Sequence, residues 1–237
     1  MLDRGYVNAA SVVHDLSARS KILATVGFVL IVVATPREWV LAFAGYAVIV
    51  LLAAAVAHIP PRRLLAGMVI EVPFVAFAVL LPLIHPGPEG MWAAWNIAVK
   101  ATLGVLAATV LASTTTGVEL VAGLQALRLP SAVVAICSFF VRYLDVVAEQ
   151  FSRMRTAQQA RGMSLGSVRS WPAMSAGLGS LFVRSYERGE RVHLALLSRG
   201  YDGRLPGVES TGGREWPAAV VPAAAAAVLL LTAVIHR

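Results

Sequence analysis

Crossing roughly 30 Å of hydrocarbon takes about 20 apolar residues as a helix, and five stretches of this chain approach or meet that length: residues 22–34, 39–57, 64–84, 92–112 and 216–235. Nothing else in the sequence constrains the fold so strongly. Of the 237 residues, 58% are hydrophobic and only 14% charged, which is more apolar surface than a soluble core of this size can bury. The single cysteine, Cys137, offers neither an internal disulfide nor a thiolate metal cluster, so the fold must rest on helices packed in lipid. The expectation is an all-α integral membrane protein with about five transmembrane helices. The first run is short unless residues 17–21 begin its helix. It reads as a signal anchor, because no small-x-small cleavage site followed by a polar start is evident.

Charge sets the expected orientation. The formal net charge is +7, but the basic residues are spread among acids, with no aromatic-interleaved basic cluster to suggest nucleic acid. Arg4, Arg19 and Lys21 precede the first span, Arg62 and Arg63 separate the second from the third, and the 85–91 connection has no Lys or Arg. Positive loops stay inside, so the N-terminus is expected in the cytoplasm. Five crossings leave Arg237 outside and, of the 20 Lys and Arg, exclude only Arg37, Lys100 and Arg237 from the inner side.

Residues 117–215 differ in kind, since 12 Arg and eight Asp or Glu interrupt their apolar positions. Most of this region is expected to be cytoplasmic or interfacial, in about three helices. Thr116-Gly-Val-Glu119 has the capping-box pattern, in which a threonine oxygen and a glutamate carboxyl satisfy the exposed amides of a helix start. That helix should run through Leu127. Pro130 suits the first turn of a second helix, over 131–160, which stops near Gly162. Its first part is almost wholly apolar and its later part amphipathic, so it can dip from membrane to cytosol. After a Gly-Ser loop at 162–170, Trp171-Pro172 opens a third helix that ends at Gly200. The expected division is 1–116 as a membrane domain of four spans, 117–215 as cytoplasmic helices and 216–237 as a last span.

Two of these helix ends match: Gln159-Ala160-Arg161-Gly162 and Leu197-Ser198-Arg199-Gly200. A glycine just past a helix tolerates the left-handed conformation, and an arginine in the last turn meets the negative end of the helix dipole. Both are therefore complete as ordinary C-caps. The other reading is that two rigid helices present guanidinium forks to acidic sites on a partner, where each charge-assisted hydrogen bond is worth about 1.5 to 3 kcal/mol.

The surroundings of these ends resemble a known family, the transmembrane T component of energy-coupling-factor (ECF) transporters, nearest its cobalt type, CbiQ. His14-Asp-Leu-Ser-Ala-Arg-Ser-Lys21 is similar to the family's opening segment, with Ser17 where a proline is expected. Thr114-Thr-Thr-Gly-Val-Glu119, Leu127-Arg-Leu-Pro130, Arg142-Tyr143 and Gln158-Gln-Ala-Arg161-Gly162 resemble its coupling region in order. Glu187-Arg-Gly-Glu-Arg191 and Leu197-Ser-Arg199-Gly200-Tyr201-Asp-Gly203 resemble its second signature, with Ser198 in place of the usual alanine.

The resemblance implies a coupling subunit. It would join a membrane S component, metal-binding and CbiM-like, to two cytoplasmic ATPases that receive the two Arg-Gly ends. Ala160, Arg161, Gly162, Ser198, Arg199 and Gly200 would then be the coupling residues. The expected task is cobalt uptake across a prokaryotic plasma membrane, with nickel, biotin or several vitamins as alternatives within the class and a non-catalytic membrane scaffold outside it. No G-x-x-x-x-G-K-[ST] phosphate loop occurs, and Lys21 and Lys100 are the only lysines. ATP and Mg would thus sit on the partners, and this chain would hold no cofactor and catalyse nothing.

Other polar residues read as structural. His14, His58, His85, His193 and His236 share no i, i+3 or i, i+4 ligand spacing, and the scattered methionines read as packing. Glu71 and Lys100 are ionisable groups inside spans, where they are expensive. They differ in depth by about 8 Å in a core of about 30 Å, so snorkelling in opposite directions is simpler than pairing. Pro73 and Pro82 should kink the third span. Glu149 to Arg153 and Glu187 to Arg191 are helix-stabilising i, i+4 pairs.

Overall fold

The computed structural model describes residues 11, 13–84, 87–163 and 171–202. The expected span at 216–235 and the 164–170 part of the Gly-Ser loop lie outside the described residues. Among the described residues the elements are all helices: α1 (Ala18–Ala34), α2 (Val40–Val56), α3 (Pro61–Met68), a 3-10 turn (Val69–Glu71), α4 (Val72–Ile84), α5 (Pro88–Thr114), α6 (Gly117–Ala126), α7 (Ser131–Ala160) and α8 (Trp171–Leu197). They fall into two compact units, one ending at Leu127 and the other beginning at Arg128.

Local chemistry accounts for most helix starts. Ser17 caps α1 by accepting the Ser20 N–H at 3.4 Å, so the helix does begin before the apolar run. Pro61 and Pro88 occupy the first turns of α3 and α5, where a missing N–H costs nothing. The capping box of α6 is complete: Glu119 N–H donates to Thr116 Oγ1 at 3.3 Å, and Thr116 N–H donates to Glu119 Oε2 at 3.0 Å.

In the first unit α5 is the common support, packing on α1, α2, α3 and α4, while α6 packs on α1. Its centre is Tyr46, 0% exposed, set edge-on to Phe28 and Phe43 with ring centroids 6.0 and 6.1 Å away. Phe43 in turn meets Trp95 edge-on at 5.4 Å. The Tyr46 hydroxyl is not stranded among these rings, because Thr35 Oγ1 lies 3.1 Å from it. Outward-facing positions such as Leu30, Leu41, Ile70, Phe74 and Leu83 are exposed apolar side chains, as lipid-facing helices require.

The third expected span is broken, and the break falls one turn before the proline. Pro73 has no N–H for the Val69 carbonyl, which instead accepts from Val72 N–H, three residues on. That bond tightens Val69–Glu71 into the 3-10 turn. Pro82 lies inside α4 without ending it.

Among the described residues three segments are long and apolar enough to cross a membrane: Pro61–Ile84, Pro88–Thr114 and Ser131–Ala160, of 24, 27 and 30 residues. Val40–Val56 is apolar but shorter. Membership of Ser131–Ala160 goes beyond the charge-based reading of 117–215. The ionisable residues of α7 crowd toward its C-terminal half, leaving a first half as apolar as a span. The chain is thus an all-α membrane protein. In the second unit, α7 and α8 cross at Gly177, where a Cβ would lie 2.9 Å from Met154 Sδ and 3.0 Å from Gln158 Nε2.

Candidate functional site

The two Arg-Gly ends share one backbone geometry. Gly162 and Gly200 both have φ +80°, the left-handed conformation that glycine adopts without a Cβ clash. At the end of α7, Met163 N–H donates to Gln158 O at 3.2 Å and Gly162 N–H to Gln159 O at 2.9 Å. At the end of α8, Tyr201 N–H donates to Leu196 O and Gly200 N–H to Leu197 O, both at 3.0 Å. Each is a Schellman motif, and in each the arginine holds the last position before the glycine. At each end the carbonyls that the motif closes are satisfied by backbone N–H groups. The guanidinium of Arg161 or Arg199 is therefore not consumed in capping, and both side chains are exposed.

Arg161 also lines a cleft of about 620 Å³ between α7 and α8. Arg153 and Gln150 line it from α7, and Ser180 and Arg184 from α8. Arg153 is matched by Glu149, whose Oε1 accepts from it at 2.5 Å. Glu187 and Arg191 form the second i, i+4 pair, at a longer 3.9 Å. Arg184 went unnoticed in the sequence. The signal for it is the spacing of small residues, Ala157 on one helix and Ala176, Gly177 and Ser180 on the other, which mark a close crossing and carry Arg184 onto the same cleft.

The intramembrane ionisable groups take separate partners. Glu71 is 3% exposed, and its Oε1 accepts from Thr102 Oγ1 on α5 at 2.5 Å. Lys100 Nζ donates to Val33 O at 2.8 Å, near the α1 C-terminus, and lies 6.0 Å from the Phe43 ring centroid. Lys21 is buried where the chain enters the unit, and donates to His14 O at 3.1 Å and Thr114 O at 2.9 Å. It ties the approach to α1 to the end of α5. Among the described residues no three His, Cys, Asp or Glu side chains gather as a metal-sized cluster.

Fold and polar features together define a helical membrane protein whose two most distinctive exposed groups are identically presented arginines. A family model described as CbiQ, cobalt transport protein, matches residues 9–208. The chain is 29% identical over 157 residues to the cobalt transport protein CbiQ of Rhodobacter capsulatus, covering 63% of this chain and 64% of that one. It is 30% identical over 224 residues to the energy-coupling factor transporter transmembrane protein EcfT of Thermanaerovibrio acidaminovorans, covering 84% and 82%. An uncharacterized protein of Methanocaldococcus jannaschii is 31% identical over 102 residues, 43% of this chain and 38% of that one. The chain therefore spans less than two thirds of the Rhodobacter and Methanocaldococcus proteins and most of the Thermanaerovibrio one. It belongs to the CbiQ/EcfT family of transporter transmembrane components.

Proposed function

We propose that this chain is the T component of an ECF transporter, joining a substrate-binding membrane S component to two ATPase subunits, with the α7 and α8 ends as its ATPase contacts. The observation that carries the reading is the pair of Schellman ends. Two helices present an exposed arginine with the same backbone geometry, and neither arginine is needed to close its helix. Capping accounts for the glycine at each end and leaves both guanidiniums exposed for a partner.

In this role the chain catalyses nothing and holds no cofactor. Its 237 residues contain no G-x-x-x-x-G-K-[ST] loop, and ATP and Mg belong to the partners. It sits in the plasma membrane with its N-terminus and both arginines on the cytoplasmic side. Cobalt is the proposed substrate of the whole complex, supported by the description of the matching family model and by the name of the Rhodobacter relative. A second reading, several vitamins, biotin or nickel, draws on the more general name of the Thermanaerovibrio relative, whose match covers more of the chain. Uptake of radiolabelled cobalt against nickel and biotin by cells expressing the whole complex separates the two.

The coupling role is tested by co-purification. Replacing either arginine by Ala removes charge-assisted bonds and leaves partner carboxylates unpaired, at roughly 2 to 5 kcal/mol per contact. The Arg161→Ala, Arg199→Ala chain should insert and fold yet recover no ATPase, and Lys at either position should rescue only in part, lacking the bidentate fork. Recovery of a fully active complex with the double variant would show that both ends are helix caps and nothing more.

A further inference from the structure

We propose that the cavity between the broken third span and α5 is an intramembrane docking site, filled by a hydrogen-bond donor on a transmembrane helix of the S component, with Glu71 as the acceptor. The inference rests on the proposed joining of an S component and adds a place for that contact.

The cavity has a volume of about 460 Å³ and is lined by Met68, Glu71, Val72, Val75, Ala76 and Thr102. It lies at the helix break. The 3-10 turn sets Glu71 against α5, while Val72, Val75 and Ala76, at three- and four-residue steps, fall on one face of α4. Val72 and Val75 are 60% and 37% exposed, so the cavity opens away from the bundle. Glu71 is buried and is the one ionisable residue in the lining.

Donors run short around this carboxyl. Thr102 is its one hydrogen-bond partner among the described residues, and the single Thr102 hydroxyl proton has two acceptors in reach, Glu71 Oε1 at 2.5 Å and Ala98 O at 2.8 Å. Neither lysine makes up the difference, since Lys100 is bound to Val33 O and Lys21 to His14 O and Thr114 O. Glu71 lies roughly 10 Å along the helix beyond Leu64, where the apolar run begins. At that depth an unmet carboxyl oxygen is expensive. Acyl chains have no donor to give, and lipid headgroups stay at the surface. A helix crossing beside α4 does reach this depth, and polar side chains between transmembrane helices bond across in this way. Ala76 and the two valines keep the rest of the wall small and apolar, which lets such a helix approach closely.

The test uses the assembled complex in native-like membranes. Glu71→Leu should weaken S-component association about tenfold while ATPase recovery stays at the parent level, and Glu71→Gln, which keeps an acceptor oxygen, should retain most of the binding. Thr102→Val separates docking from mere bracing of α4 on α5. It cuts the bond between the helices but leaves the acceptor, so S-component association should stay within about twofold of the parent. Equal losses from Glu71→Leu and Thr102→Val, or no loss from Glu71→Leu, overturn the proposal. A photo-crosslinking residue at Val75 gives a readout that does not depend on the Glu71 variants folding. An adduct with the S component supports the docking site. Adducts with phospholipid alone, or none, in a complex that does recover the S component overturn the site and leave the proposed function standing. A parent chain that recovers no S component defeats the proposed function, and the docking site with it.

Discussion

At the scale of single residues, the helix ends that glycine closes contrast with one that it does not. α2 ends in the same Schellman pattern, with His58 N–H to Ala55 O and Ile59 N–H to Ala54 O both at 3.0 Å, but the left-handed position is held by His58 at φ 54°. A side chain there crowds the backbone, at a cost of about 1 kcal/mol. His58 is exposed, so His58→Gly should raise stability by roughly 0.5 to 1 kcal/mol, read as a higher midpoint in denaturant titrations of the detergent-solubilised chain. Removing the Tyr46 hydroxyl has the opposite sign. Tyr46→Phe leaves the buried Thr35 without its 3.1 Å neighbour and should lower stability by about 1 kcal/mol in the same assay. The sequence announces Gly162, Gly200 and the Thr116–Glu119 box because a cap is local chemistry, complete within a few residues. It does not announce His58, or Arg128 at φ 59°, since no glycine marks them. Nor does it pair Glu71 with Thr102, because that partner depends on how α4 and α5 are aligned.

At the scale of elements, close helix approach makes sharper predictions. On Gly123 of α6 an added Cβ would stand 2.8 Å from Ile22 Cδ1 and 3.0 Å from the Ala18 carbonyl carbon on α1. The Ala18 backbone cannot yield, so Gly123→Ala should push α6 off α1 and cost about 1 to 3 kcal/mol. Gly104, inside α5, meets nothing within 4 Å. Gly104→Ala should instead stabilise by up to about 1 kcal/mol through helix propensity. Measured side by side as thermal midpoints, the two should move in opposite directions, and a shared direction would discard the packing explanation. For the described helices the rough extent was readable from apolar length and from Pro and Gly punctuation. The break before Pro73 was readable as a kink but not in its position, since a proline acts on the carbonyl four residues behind it. The packing of α6 on α1 was invisible, because a shift in charge density marks composition and not contact.

At the scale of the whole molecule, charge and the proposed role both bear on the side on which α7 ends. By length and apolarity Ser131–Ala160 qualifies as a span; Arg128 alone precedes it while Arg153, Arg155 and Arg161 close it, so the charge rule favours a cytoplasmic α7 end. The proposed coupling role asks for the same side, since under it Arg161 faces the ATPases. With Cys137 replaced by Ser, a Ser152→Cys chain should react with an impermeant maleimide in inside-out vesicles and stay unlabelled in right-side-out ones. The reverse pattern would carry Arg161 away from any ATPase. A reporter fused at Leu2 should likewise read cytoplasmic. The length of α8 has one more consequence. Arg161 lies beside the cleft near the start of that helix, and Arg199 closes its far end. Its 27 residues at about 1.5 Å each make a rod of roughly 40 Å. α8 is therefore a ruler, and under the proposed coupling role the receiving sites on the two ATPases are spaced to match it. Seven residues inserted into α8 beyond the cleft would lengthen the rod by about 10 Å while turning Arg199 only about 20°, so a transporter that engages both ends at once should lose its grip on one.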